Sequence, residues 1–152
     1  FQPMWKLKDG DLNLTAIDPQ TVQAYKETDY RIDGPVPFVM RIGTECRPLR
    51  DLLEKSKADC ACFITACNPF SEDIGDLANA ERQEKLAAAL RLRSLSFREG
   101  VGRHPDGHCP AEPSFLVIGL SLEAAKTLGR ECDQNAIVWS GPDAVPQLIL
   151  LR

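Results

Sequence analysis

A chain of 152 residues, 43% hydrophobic and 26% charged, has the size and composition of one folded domain with a real core, which excludes wholesale disorder. Eighteen Lys and Arg against 22 Asp and Glu leave a net charge of −4, which argues against a general nucleic-acid binder. No run is long or apolar enough to span a bilayer, and the first five residues (F-Q-P-M-W) show no basic region leading into an apolar core, so neither membrane insertion nor a signal peptide is expected.

Residues 1–17 mix charged and apolar groups with no sustained period and read as an N-terminal arm, ahead of a single domain over 18–152. Asp18 followed by Pro19 is a helix start, an N-cap aspartate with proline at the first helical position, and the helix reaches Lys26. After a break at Gly34 and Pro35, residues 36–42 (V-P-F-V-M-R-I) read as a first strand. Leu49, Leu52 and Leu53 stand at helical spacing and predict a helix over 47–57. The second strand runs over 60–67, and its continuous apolar character predicts burial on both faces.

The longest helical pattern covers 73–93, where Asn79, Arg82, Leu86, Leu90 and Arg93 fall on one face. Residues 95–101 read as a third strand, 102–113 as a loop heavy in Gly, Pro and His, and 114–120 as a fourth strand. Ser121 caps a short helix, residues 136–140 (A-I-V-W-S) form a fifth strand, and 148–151 close the chain as a sixth. The expected fold is α/β with α+β character, a mixed sheet of five or six strands with helices packed on it.

The chain is organised around residues 60–71, C-A-C-F-I-T-A-C-N-P-F-S, in which an apolar run stops abruptly in small polar residues and a proline. A buried strand of this kind delivers polar groups to the end of a sheet, where open α/β sheets place ligands. Strand–helix–strand units return parallel strands, so strands one, two and three should run together, four opposite, and five from the same end as four. On that arithmetic one edge collects Thr44 and Glu45, Thr65, Asn68 and Ser71, Asn79 and Arg82, His104 and His108, Glu112 and Ser114, and Gln134 and Asn135.

Several chemistries are weighed against plainer readings. Gly100, Gly102 and Gly107 suggest a phosphate cradle, but no Lys-Ser pair or helix follows, so a hairpin loop is the better account. There is no G-x-S-x-G. His104, His108 and Cys109 have a metal-like spacing, yet adjacent His108 and Cys109 diverge in most backbones, and no metal or cofactor is expected. Glu112, held extended by Pro113, is the candidate general base, with His104 as a second proton carrier; the plainer alternative salt-bridges Glu112 to Arg82. Thr65, Asn68, Ser71, Asn79, Arg82, Ser114, Gln134 and Asn135 are the candidate ligand-binding residues, although asparagines also brace loops. Arg82, Arg91, Arg93, Arg98 and Arg103 with two histidines make a local positive stretch that reads as solvated surface. Six scattered cysteines are no disulfide scaffold and point to a reducing compartment, the cytoplasm.

T-A-x-N-P-x-S at 65–71, Asn79, Arg82, E-P-S-F at 112–115 and Q-N-A-I-V-W at 134–139 together resemble a bacterial domain-of-unknown-function family of small single-domain proteins. Tyr25, Thr28 and Tyr30, and the F-x-x-R-I-G of residues 38–43, fit it too, so the resemblance covers 20–151. It implies the extent of the domain and no activity. In that family the position of Cys67 is more often aromatic, which implies that Cys67 is not an essential nucleophile.

The leading expectation is therefore a site at this edge for a small molecule, phosphate- or nucleotide-bearing ligands and hydrolysis included. The competing expectation is a protein-interaction module without chemistry, and nucleic acid is the weakest of the three. No membrane partner is expected.

Overall fold

The computed structural model describes residues 15–107 and 111–152, so the expected arm over 1–17 lies mostly outside the described residues, as do His108 and Cys109. Local signals set the element boundaries. The Asp18 side chain accepts from the Gln20 N–H at 2.7 Å with Pro19 in the first turn, opening α1 (Pro19–Glu27). Then come β1 (Asp29–Ile32), β2 (Phe38–Met40), α2 (Arg47–Ser56) and β3 (Ala61–Ile64). A short 3-10 turn (Pro69–Ser71) precedes α3 (Asp76–Leu92), β4 (Ser96–Arg103) and β5 (Glu112–Ile118). Ser121 caps α4 (Leu122–Glu131), accepting from the Ala124 N–H at 3.3 Å, before β6 (Ala136–Ser140) and β7 (Gln147–Leu150).

These strands form one curled seven-stranded sheet in the order β2-β1-β4-β5-β3-β6-β7, every neighbouring pair antiparallel. The domain is α+β, with seven strands rather than five or six. The expected directions hold: β2, β3 and β4 run together, β5 and β6 run opposite. What differs is adjacency. The three co-directional strands are never neighbours, because β1 lies between β2 and β4 and β5 between β4 and β3, so the sheet is antiparallel and not mixed. The additional strand is β1, whose four residues carry only Tyr30 and Ile32 as an apolar alternation.

Period-2 alternation along the central strands feeds two cores. Ala61, Phe63, Leu116 and Ile118 face Leu49, Leu52 and Leu53 of α2. Cys62, Ile64, Phe115 and Val117 face Leu86, Ala87 and Leu90 of α3 and Ala125 and Leu128 of α4. β3 is thus buried on both sides along its whole length, as its composition predicts. The curl brings the segment after β2 to the far side of the sheet, where the Gly43 N–H donates to the Pro146 carbonyl at 2.8 Å and the Cys46 N–H to that of Ala144 at 2.8 Å. Thr44 and Glu45 are therefore carried away from the polar edge to the turn after β6. Their placement by strand direction alone failed because direction says nothing of curvature.

Cys46, Cys60, Cys62, Cys67 and Cys132 are free thiols. Among the described residues no helix is long and apolar enough to cross a membrane.

Candidate functional site

β3 ends at Ile64, and the next residues meet the first two turns of α3, the start of β5 and the segment leading into β6. The Thr65 hydroxyl donates to the Pro113 carbonyl at 2.6 Å and accepts from the Cys67 N–H at 3.0 Å. From α3, the Gln83 carbonyl oxygen accepts from the Ala66 N–H at 2.9 Å, and the Asn79 carbonyl oxygen accepts from the Asn68 N–H at 2.8 Å. The Asn79 amide nitrogen returns a bond to the Asn68 side-chain oxygen at 2.7 Å, and the Asn68 amide nitrogen donates to Glu112 Oε2 at 3.0 Å. Gln134 donates to the Cys67 carbonyl at 3.0 Å. Asn68, Glu112 and Gln134, far apart in the chain, thus converge at one end of the sheet, as the strand directions require.

The backbone these groups hold is strained. Asn68, Phe70 and Ser71 lie at φ 47°, 55° and 63°, in the left-handed region that bulky residues avoid. Three such residues within four positions persist only because side chains from α3, β5 and the 132–135 segment fix the loop from several sides.

Arg82 points inward, as the helical period predicts, but not to Glu112. Its Nε donates to the Ala66 carbonyl and its Nη2 to the Cys132 carbonyl, both at 2.6 Å, and its carboxylate neighbour is Asp133 at 3.6 Å. The expected Arg82–Glu112 pair is therefore absent: the turn before β6 stands nearer that face of α3 than the start of β5 does. His104 is engaged elsewhere too, its Nε2 3.0 Å from Glu27 and its Nδ1 2.8 Å from Asp106. The Glu27 carboxylate, and after it that of Asp106, holds its pKa above the usual range. Ser114 is buried and bonds the Glu112 carbonyl at 3.1 Å. Of the positive stretch, Arg91 lies 5.7 Å over the Phe97 ring, apart from this edge.

Glu112 is left in an unusual state. Burial pushes its carboxyl pKa up, and among the described residues the bond from Asn68 opposes it. A carboxyl with a higher pKa in the folded chain binds its proton more tightly there than when unfolded. That contribution to stability is complete below the ordinary carboxylate range and is lost as pH rises through the folded value. Glu112→Gln keeps an acceptor for Asn68 and cannot ionise, so its stability relative to wild type should increase between about pH 4 and pH 7. Urea midpoints of both proteins at the two pH values check this, and a flat or falling difference would contradict it. The thiols are no rival nucleophiles: burial raises Cys67 and pushes Cys132 up to about 11.

A second group closes the outer side of the loop. The Asn135 amide nitrogen donates to the hydroxyls of Tyr25 at 3.2 Å and Ser71 at 3.0 Å, and those hydroxyls lie 2.8 Å apart. Arg152 Nη1 donates to the Asn135 side-chain oxygen at 2.8 Å, with the guanidinium 4.5 Å over the Phe70 ring. Tyr25, Gln83, Asp133 and Arg152 were not among the sequence candidates. Gln83 had a signal, since 79, 82, 83, 86, 87 and 90 form the full i, i+3, i+4, i+7 stripe; Arg152 had none. Gln83 Nε2 is buried and has no hydrogen-bond partner among the described residues.

No residue of this edge lines either of two shallow hollows: one of about 230 Å³ is lined by Thr44, Glu45 and Cys46, and an open one of about 730 Å³ lies along the solvent face of α3 at Leu77, Ala80 and Glu84. Among the described residues no group of three His, Cys, Asp or Glu could hold a metal ion.

Fold and site together define a small α+β domain with a polar edge at the end of a doubly buried strand. Residues 64–137 match the model of DUF3293, a family described as protein of unknown function. That span runs from the end of β3 into β6 and takes in every residue of the edge except Tyr25 and Arg152. No curated protein and no solved structure matches the chain.

Proposed function

We propose that the polar edge binds a small polar molecule and that Glu112 exchanges a proton with it. The observation that supports this reading is the Glu112 carboxyl itself, half-buried, raised toward its neutral form, and held among the described residues by one amide rather than by a cation. A carboxylate kept for architecture is held ionised by a cationic partner; burial without one costs folding energy that architecture does not require. A carboxyl poised toward neutrality suits general acid–base work, and hydrolysis is the reaction class that would use it. The buried Gln83 amide nitrogen, without a partner among the described residues, supplies a donor near the same loop. The free, mostly buried thiols support a cytoplasmic setting.

The test is a thermal-shift panel of phosphate-bearing, nucleotide and ester or amide compounds on wild type and Glu112→Gln. At least one class should raise the wild-type Tm saturably, with the shift lost in the folded variant. No response in wild type, or an equal response in both proteins, would sink the reading.

A second reading, a protein-interaction module, is supported by the exposure of Phe70, Ile74 and Leu77 in one stretch beside the edge. Under it the compound panel stays silent.

A further inference from the structure

We propose that Tyr25, Ser71, Asn135 and Arg152 form an oxyanion site, which takes the phosphate or carboxylate group of the molecule bound at the polar edge. The inference rests on the reading that this edge binds a small molecule, and it names the chemical class of that molecule.

The argument is a count of hydrogens. The Asn135 amide has two N–H groups, and they go to the Tyr25 and Ser71 hydroxyls. Those two hydroxyls share one further bond at 2.8 Å, which consumes one of their two protons. The other proton has no acceptor within the cluster, whichever residue carries it. Arg152 commits Nη1 to the Asn135 oxygen, which leaves the rest of its donors uncommitted by this group. What remains unspent is one hydroxyl proton beside a permanent cation, so the complement is an acceptor, and a charged one is favoured.

The surroundings fit an anion. Among the described residues Arg152 has no carboxylate partner. The carboxylates of the adjoining segments at 112 and 133 are engaged, Asp133 with Arg82 at 3.6 Å and Glu112 with Asn68 at 3.0 Å. The cluster is also built rather than incidental. Asn135 is only 6% exposed, and the guanidinium is steadied over the Phe70 ring at 4.5 Å. The strained turn that presents Ser71 is pinned by the Phe70 N–H to the Asp133 carbonyl at 2.7 Å and the Ser71 N–H to the Asn68 carbonyl at 2.8 Å. Asn68 is the link between the two halves of the edge: its side chain holds Glu112 and its carbonyl holds Ser71. An anionic group fixed at Arg152 would leave the remainder of the ligand directed along this turn toward the carboxyl.

The experiment is a titration of the whole chain with inorganic phosphate and, separately, acetate at constant ionic strength, followed by amide NMR shifts. Saturable shifts at residues 70, 71 and 135 are expected. A preference for phosphate marks a phosphoryl ligand and a preference for acetate a carboxylate one. Arg152→Gln should weaken binding by about tenfold, the worth of a charge-assisted bond, and Tyr25→Phe by about fivefold. If Arg152→Gln proves unfolded, Arg152→Lys and Tyr25→Phe decide. No saturable response to either anion, or folded Arg152 and Tyr25 variants that bind as wild type does, overturns the proposal. The two readings fail separately: saturable anion shifts at residues 70, 71 and 135 in wild type, with no compound that distinguishes wild type from Glu112→Gln, leave this site standing without the proton-transfer role, whereas anion shifts centred away from those residues assign the anion elsewhere.

Discussion

Replacing Arg82 with alanine should lower folding stability by about 3 kcal/mol, because two buried carbonyls lose charge-assisted donors at once. The guanidinium ties α3 to two other pieces of chain: the Ala66 carbonyl after β3, and the Cys132 carbonyl with the neighbouring Asp133 carboxylate after α4. Ala66 is 4% exposed, so water cannot readily replace the lost donor there. Gln134 also donates to the Cys132 carbonyl at 3.1 Å, which keeps that acceptor partly satisfied and the loss finite. Arg82→Lys, with one compact donor group, should recover only part of the loss. The check is the urea midpoint at unchanged slope. A loss under about 1 kcal/mol would mean that Arg82 behaves as an ordinary surface charge and that the loop is braced without it.

Gly100→Ala should cost about 3 kcal/mol as well, by forced overpacking in the middle of the sheet. A Cβ there would stand 2.5 Å from the Arg31 carbonyl oxygen and 2.9 Å from Phe63 Cε1. The ring can tilt, although it packs edge-on to Tyr30 at 5.2 Å; the carbonyl cannot move without opening the β1–β4 pairing at Ile32 and Gly100. Gly102→Ala is the internal control, since its nearest contacts are 3.8 to 3.9 Å and ordinary. Equal losses at the two positions would show that strand propensity, and not the backbone contact, sets the cost.

Arg82 also shows how far the candidate site was legible. Its inward direction follows from a helical period shared with Leu86 and Leu90. Its partner does not, because choosing between Glu112 and Asp133 requires knowing which of two loops stands nearer α3. The functional weight moves accordingly. Arg82, Asn79 and Gln134 are occupied with backbone groups of the strained loop, while no cation among the described residues pairs with Glu112.

The sequence by itself determined the helices and their caps at Asp18 and Ser121, the double burial of β3, the relative directions of β2 to β6, and hence the convergence of Thr65, Asn68, Glu112 and Gln134 on one end of the sheet. Periodicity and capping act over a few residues, and strand direction follows from whether a helix or a tight turn intervenes, so both are written locally. Only the tertiary structure decided that β1 slips between β2 and β4, that curvature carries Thr44 and Glu45 away, that His104 goes to Glu27, and that Tyr25, Ser71, Asn135 and Arg152 meet. Those outcomes depend on sheet order and curl, which set distances between segments up to 127 positions apart, from Tyr25 to Arg152, and no local pattern carries that information.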